Sequence, residues 1–205
     1  TGNYNVYIGS GTGLENKNGM NNVFIGMRAG RNTDSCSNNV FLGFESGCNT
    51  SIGSGNVFLG TNSGWSNTNG SNNVFAGNDA GYGNLTGQNN LFFGTRSGYF
   101  NNTGGDNIFL GTESGFFNTR GQNNVFLGNK SGYYTDTASY NVFVGYESGF
   151  SNSAGNNNVF LGFQAGFSNS VGWDNVFIGA GAGRNVQDGT TNVYIGLGAG
   201  ESNFS

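Results

Sequence analysis

The sequence predicts an all-β chain, a parallel β-solenoid of twelve 17-residue rungs forming a single rod over residues 1–205. Three observations predict it. The unit Asn124-Val125-Phe126-Leu127-Gly128, followed by Ser131-Gly132, returns with its Asn at 5, 22, 39, 56, 73, 90, 107, 124, 141, 158, 175 and 192, without insertion or deletion. A fixed period of this kind marks a solenoid, in which one rung cannot bury its apolar face alone and stacks on its neighbours. The apolar run between Asn and Gly is three residues long, which suits a short strand, whereas the Gly and paired Asn around it make a poor helix. The chain also has 40 Gly, no Pro and only 9% charged residues; without a period that would read as disorder, and the strict period with 19 Phe reverses it. Rungs stacked at about 4.8 Å give a rod of roughly 55 to 60 Å.

Each rung reads approximately N-V-F-[L/I]-G-x-x-[S/A]-G-aromatic-x-N-x-x-G-x-N, and its positions are taken in order. Asn at the first and usually the twelfth position (Asn67, Asn84, Asn101, Asn118) should stack as amide ladders that satisfy side chains otherwise buried unpaired. Along the strand the second and fourth positions point one way and the third the other. The second is aliphatic throughout, and at the fourth small Ala76 is followed one rung later by large Phe93, the volume compensation expected of a closed core. The second and fourth positions are therefore assigned to the interior. That leaves the third facing out: Phe24, Phe41, Phe58, Phe75, Phe92, Phe109, Phe126, Phe143, Phe160 and Phe177, between Tyr7 and Tyr194 in the end rungs. Such a stripe exceeds what a soluble monomer exposes, so either the faces are inverted and Phe fills the core, or another chain covers it. Gly at the fifth, ninth and usually the fifteenth position marks the bends. At the seventh, Asp79, Arg96, Glu113, Lys130 and Glu147 alternate in sign, and Arg28 with Glu45 make a further opposite pair. Stacked opposite charges attract weakly and favour correct register.

Cys36 stands where most rungs have Gly, and Cys48, on the next rung, where most have an aromatic. Two departures on neighbouring rungs read either as a disulfide, which needs an oxidising compartment, or as two small buried thiols. There is no His, so the commonest general base and metal ligand is missing, and two cysteines do not make a zinc site. No two acids adjoin in the charged column, which argues against a metal-binding carboxylate cluster. The G-x-G of Gly179-Ala180-Gly181 has no following helix to make a phosphate loop. The expectation is no enzyme, no cofactor and no metal. A net charge of -4 gives no basic footprint for nucleic acid, and no apolar run is long enough to insert in a membrane as a helix.

The stretch Asn175-Val176-Phe177-Ile178-Gly179-Ala180-Gly181-Ala182 resembles the V-x-I-G-x-x-A/S repeats in the heads of trimeric autotransporter adhesins. It is also similar to N-V-F-L-G-x-x-A-G repeats in bacterial and phage tail-fibre-like surface proteins. The rung here is longer, with Phe126 and its equivalents where the adhesin heads carry a small residue. The resemblance implies a β-roll exposed at the cell surface or outside the cell that associates with itself and adheres. The expected function is thus an extracellular structural or adhesive fibre, whose partners are other copies of the chain and a host or abiotic surface. The alternatives are an ice-binding solenoid and the shaft of a phage tail fibre; a polysaccharide-cleaving β-helix is weaker, for want of clustered acids. Thr1 and Ser205 both fall at the fourteenth position, so the pattern runs in phase to both termini, uncapped. Association side by side, end to end or both is expected from those open edges.

Overall fold

The computed structural model describes residues 2–201; Thr1 and residues 202–205, and with them the phase of the termini, lie outside it. Each rung contributes one three-residue strand: β1 (Val6–Ile8), β2 (Val23–Ile25), β3 (Val40–Leu42), β4 (Val57–Leu59), β5 (Val74–Ala76), β6 (Leu91–Phe93), β7 (Ile108–Leu110), β8 (Val125–Leu127), β9 (Val142–Val144), β10 (Val159–Leu161), β11 (Val176–Ile178) and β12 (Val193–Ile195). They form one parallel sheet in chain order, each residue paired with its equivalent one rung away, as Phe109 with Phe126 and Phe126 with Phe143. No helix occurs among the described residues. The expected parallel β-solenoid is the observed fold.

The rest of each rung is turn. Four positions per rung have positive φ, as in Asn123 (56°), Gly128 (137°), Lys130 (56°) and Gly132 (59°). Asn and Asp dominate the seventeenth position, where they adopt the left-handed conformation at the least cost after Gly. The fifth position is held to Gly by its neighbour as well as by φ, since a Cβ on Gly128 would run into the Gly145 carbonyl of the next rung. Turn amides are satisfied between rungs as strand amides are: Val125 N–H donates to Asn141 O (2.8 Å), Lys130 N–H to Thr112 O (2.9 Å) and Gly132 N–H to Ser148 O (2.9 Å). Almost the whole backbone is thereby tied along the rod axis, which accounts for polar groups that a turn-rich chain would otherwise bury unpaired.

The faces of the strand are the reverse of the primary assignment, and the inverted alternative holds. Every third-position Phe from Phe24 to Phe177 is 0% exposed and belongs to the core cluster. The second and fourth positions point outward and are half-buried or exposed; Ala76 is half-buried and Phe93 is 60% exposed. The physical reason is the width of the rung. With one short strand per turn the interior holds a single column of large side chains, and the ninth-position Gly leaves the space that column needs: a Cβ on Gly132 would lie 2.5 Å from Phe126 Cε2. Ala76 and Phe93 face outward, where no volume must be compensated.

Around the Phe column runs a buried polar wall. Asn124 N–H and Nδ2 both donate to Asn107 Oδ1 (3.0 and 3.2 Å), and Nδ2 also donates to Ala138 O (2.8 Å), a pattern repeated along the first position. At the twelfth position Asn84, Asn101 and Asn118 each donate from Nδ2 to the Oδ1 one rung before, at 2.7 to 2.8 Å. Both expected amide ladders are present. The eighth position adds small buried residues, and Ser131 Oγ donates to Phe143 O at 3.1 Å.

Candidate functional site

Successive rungs place like positions in columns, so any site on this rod is a column. The Phe column expected to make lateral contacts is unavailable for them. Its rings stack at centroid distances of 4.6 to 4.9 Å, nearly parallel, with Tyr7 and Tyr194 each 5.1 Å beyond the terminal Phe. It is the core. Tyr7, 36% exposed at the end of the column, has its phenol pushed up to about 12, first by desolvation and then by the nearby Cys36 thiol, with a hydrogen bond to Asn22 opposing.

A second aromatic column stands at the tenth position. Trp65, Tyr82, Tyr99, Phe116, Tyr133, Phe150 and Phe167 stack at 4.9 to 5.3 Å. The Arg184 guanidinium lies 5.6 Å from the Phe167 ring centre, and Trp65 Nε1 donates to Glu45 Oε2 at 3.1 Å. Phe100, Phe117 and Tyr134 form a shorter stack beside it, meeting its rings edge to face. Within both stacks ring faces are taken by ring neighbours, so the columns offer edges to solvent and no platform for a sugar or a base. The tenth-position run was legible in the sequence as an aromatic preference; its continuity over seven rungs was the signal of a column.

The charged column lies along the turn after the strand. Arg28 Nη1 meets Glu45 Oε1 at 2.9 Å and Arg96 Nη1 meets Glu113 Oε1 at 3.2 Å. Asp79 accepts from Asn62 Nδ2 (3.0 Å) and Glu147 from Gln164 Nε2 (2.8 Å). Lys130 closes no ion pair among the described residues. Of the five alternating residues only Arg96 and Glu113 therefore join directly; a hydrated ammonium on a flexible stem gains little by fixing itself between two surface acids.

The disulfide reading is corrected: Cys36 and Cys48 are both buried, free thiols. They belong to different columns, the fifteenth and tenth positions. Cys36 is matched to a residue of its own rung. In most rungs the twelfth-position Asn presses on the fifteenth-position Gly, and a Cβ on Gly121 would meet Asn118 Oδ1 and the next rung's carbonyl. Where Cys36 and Ala138 stand, the twelfth residue is the shorter Thr33 or Thr135, whose Oγ1 turns back to Gly30 O or Gly132 O (2.8 and 2.7 Å). Burial pushes the Cys36 thiol up to about 11, against hydrogen bonding from Thr33 and Asn39; burial and then the Glu45 carboxylate raise that of Cys48.

Near the end of the described chain Ala180, Gly181 and Gly198 lack the side chains of other rungs, leaving an open depression of about 530 Å³ beside Phe163, Arg184 and Glu201. No group of three or more His, Cys, Asp or Glu is placed to hold a metal among the described residues.

The outer face of the sheet, which the primary assignment had placed inside, is uncovered. Val, Leu and Ile of the second and fourth positions form two parallel aliphatic columns along all twelve strands, interrupted only by Ala76 and Phe93. Exposure reaches 37 to 38% at Val74, Ile108 and Leu110 in mid-rod. No charged residue occurs within any strand. No protein-family model matches the chain, and no curated protein or solved structure is found similar to it.

Proposed function

We propose that the chain is a segment of an extracellular structural or adhesive fibre, a stiff rod that associates laterally through the outer aliphatic face of its sheet. The observation that carries this reading is that face: two aliphatic columns running the length of twelve in-register strands without a charge. Apolar patches of more than a few hundred Å² mark interaction surfaces on soluble proteins. The likeness of the rung to adhesin-head and tail-fibre-like repeats supports a place outside the cell, where a host or abiotic surface is a further partner; a phage tail-fibre shaft is the same rod in another setting. The Phe column contributes stiffness, and the outer columns make the contact. Sedimentation velocity from 1 to 100 µM tests it, against a variant carrying Val125→Lys and Leu127→Lys. Association of the parent, and its loss in a variant with unchanged circular dichroism, is the expected result. A parent that stays monomeric throughout would overturn the reading.

The regular, in-register spacing of the same columns favours one second reading, an ice-binding face. Thermal hysteresis at micromolar protein separates it from the first, because a fibre segment produces none.

A further inference from the structure

The charged column carries an alternation that the ion pairs within one rod do not use up. Numbering rungs from Asn5, the cations Arg28, Arg96 and Lys130 stand on rungs two, six and eight, and the anions Glu45, Asp79, Glu113 and Glu147 on three, five, seven and nine. Sign thus follows the parity of the rung. Within one rod two neighbouring pairs of these residues join in ion pairs, Arg28 with Glu45 and Arg96 with Glu113. Lys130 closes none among the described residues.

We infer that the occupant of the aliphatic face is a second copy of this chain, antiparallel, related by a two-fold axis that lies along the strands and passes between Asp79 and Arg96. This deepens the proposed lateral association and rests on it. An axis in that direction reverses the rod and keeps the strand direction, so the turn edge of one sheet meets the same edge of the other. Rung n then faces rung 11 minus n. Arg28 comes opposite Glu147 of the second copy, Glu45 opposite Lys130, Asp79 opposite Arg96, and Asn62 opposite Glu113; the symmetry repeats every pair, as an isologous contact requires. No two like charges meet. A shift of the second rod by a single rung sets like parity against like, so Glu113 and Glu147 would then face acids or uncharged residues and Lys130 a cation or an uncharged residue. A parallel two-fold pair instead sets this column against the seventeenth position, whose only charges among the described residues are Asp106 and Asp174, and so leaves the alternation unused.

Area supports the same occupant. Ten overlapping rungs at about 4.8 Å, over a width of roughly 13 Å from the second to the sixth position, give about 600 Å² per rod. That is the low end of stable interfaces, which bury about 600 to 1,000 Å² per partner. The aliphatic columns provide the buried centre, and the charges form a rim that selects orientation and register more than it adds affinity.

Two charge variants and one distance measurement test the inference. Arg28→Glu, Arg96→Glu and Lys130→Glu together make an all-acidic column; Glu45→Lys, Asp79→Lys, Glu113→Lys and Glu147→Lys make an all-basic one. Each alone, with its fold checked by circular dichroism, should associate at least ten-fold more weakly than the parent, and an equimolar mixture should restore a heterodimer. Spin labels on Thr103→Cys (rung six) and, separately, Asn18→Cys (rung one), in a Cys36→Gly and Cys48→Tyr background, report orientation whether or not the charge variants fold. An antiparallel pair puts the two mid-rod labels closer together than the two end labels. Equal separations, a trimer, or association indifferent to the charge reversals would overturn the antiparallel pair while leaving lateral association standing. A parent that sediments as a monomer at 100 µM would remove both.

Discussion

A ring in the middle of the rod has a ring above it, a ring below it and a glycine against its edge. Phe126 stacks on Phe109 and Phe143 at 4.8 and 4.9 Å, and Gly132 leaves no room beside it for a methyl group. Replacing Phe126 by Ala opens a cavity that rigid neighbours cannot close, at a cost of about 3 to 5 kcal/mol. Chemical denaturation should show that loss; a melt within a degree or two of the parent contradicts the buried column. The thiol of Cys36 supplies a pH test. Its folded value of about 11 lies above its ordinary 9.0, so below pH 9 both folded and unfolded chains hold the proton and the contribution is complete. Between about 9 and 11 the unfolded chain releases the proton first, and stability falls as pH rises. Two units correspond to on the order of 3 kcal/mol. Urea titrations at pH 8.5 and 10.5 should show this decline in the parent and a smaller one in Cys36→Gly, the residue most rungs carry there. An equal decline in both would assign the alkaline loss elsewhere, with Tyr7 the next candidate.

Columns are where these residues become elements, and a column is vulnerable at its breaks. The twelfth-position ladder stops at Thr135, leaving Asn118 Oδ1 buried without a hydrogen-bond partner. Thr135→Asn would supply the donor but press its amide against the Ala138 methyl, the contact that confines other rungs to Gly. The single substitution is therefore expected to destabilise, and the double variant Thr135→Asn with Ala138→Gly to recover at least the parent's stability, a coupling of about 1 kcal/mol or more. Additive effects in a double-mutant cycle would refute the pairing of the two positions. This link also explains what the sequence left unread. The rung length, the strand and both amide ladders were legible because each repeats in every rung. The faces of the strand were not, because Val125, Phe126 and Leu127 are all apolar and alternation alone gives two faces without naming the inner one. Gly132 held the missing information, as the space for one ring per rung, and Ala76 with Phe93 pointed the wrong way. The disulfide reading failed for a related reason: Cys36 was compared with Cys48 one rung on, when its partner in space is Thr33, three residues before it.

At the scale of the whole molecule, each rung contacts only the rungs above and below, and all eleven junctions between strands share one register. Excising residues 107–123, one complete rung, should leave a folded rod with Phe92 stacked on Phe126 and its far-ultraviolet spectrum intact. Excising residues 107–122 instead leaves an eighteen-residue rung, shifts the following strand to the wrong face and should abolish cooperative unfolding. Equal tolerance of the two deletions would contradict a stack held by exact register.

The uniform rung also bears on how such a chain changes over generations. Recombination between two rungs, or slippage while their coding sequence is copied, adds or removes whole rungs, and the new junction is chemically the same as the old. Length can drift in steps of about 4.8 Å without an unstable intermediate. The charged column is less permissive: gaining or losing one rung inside it reverses the parity of every charge beyond that point, whereas two rungs leave parity intact. Inherited lengths of that segment should therefore differ by even numbers of rungs, a bias detectable by counting repeats among natural variants.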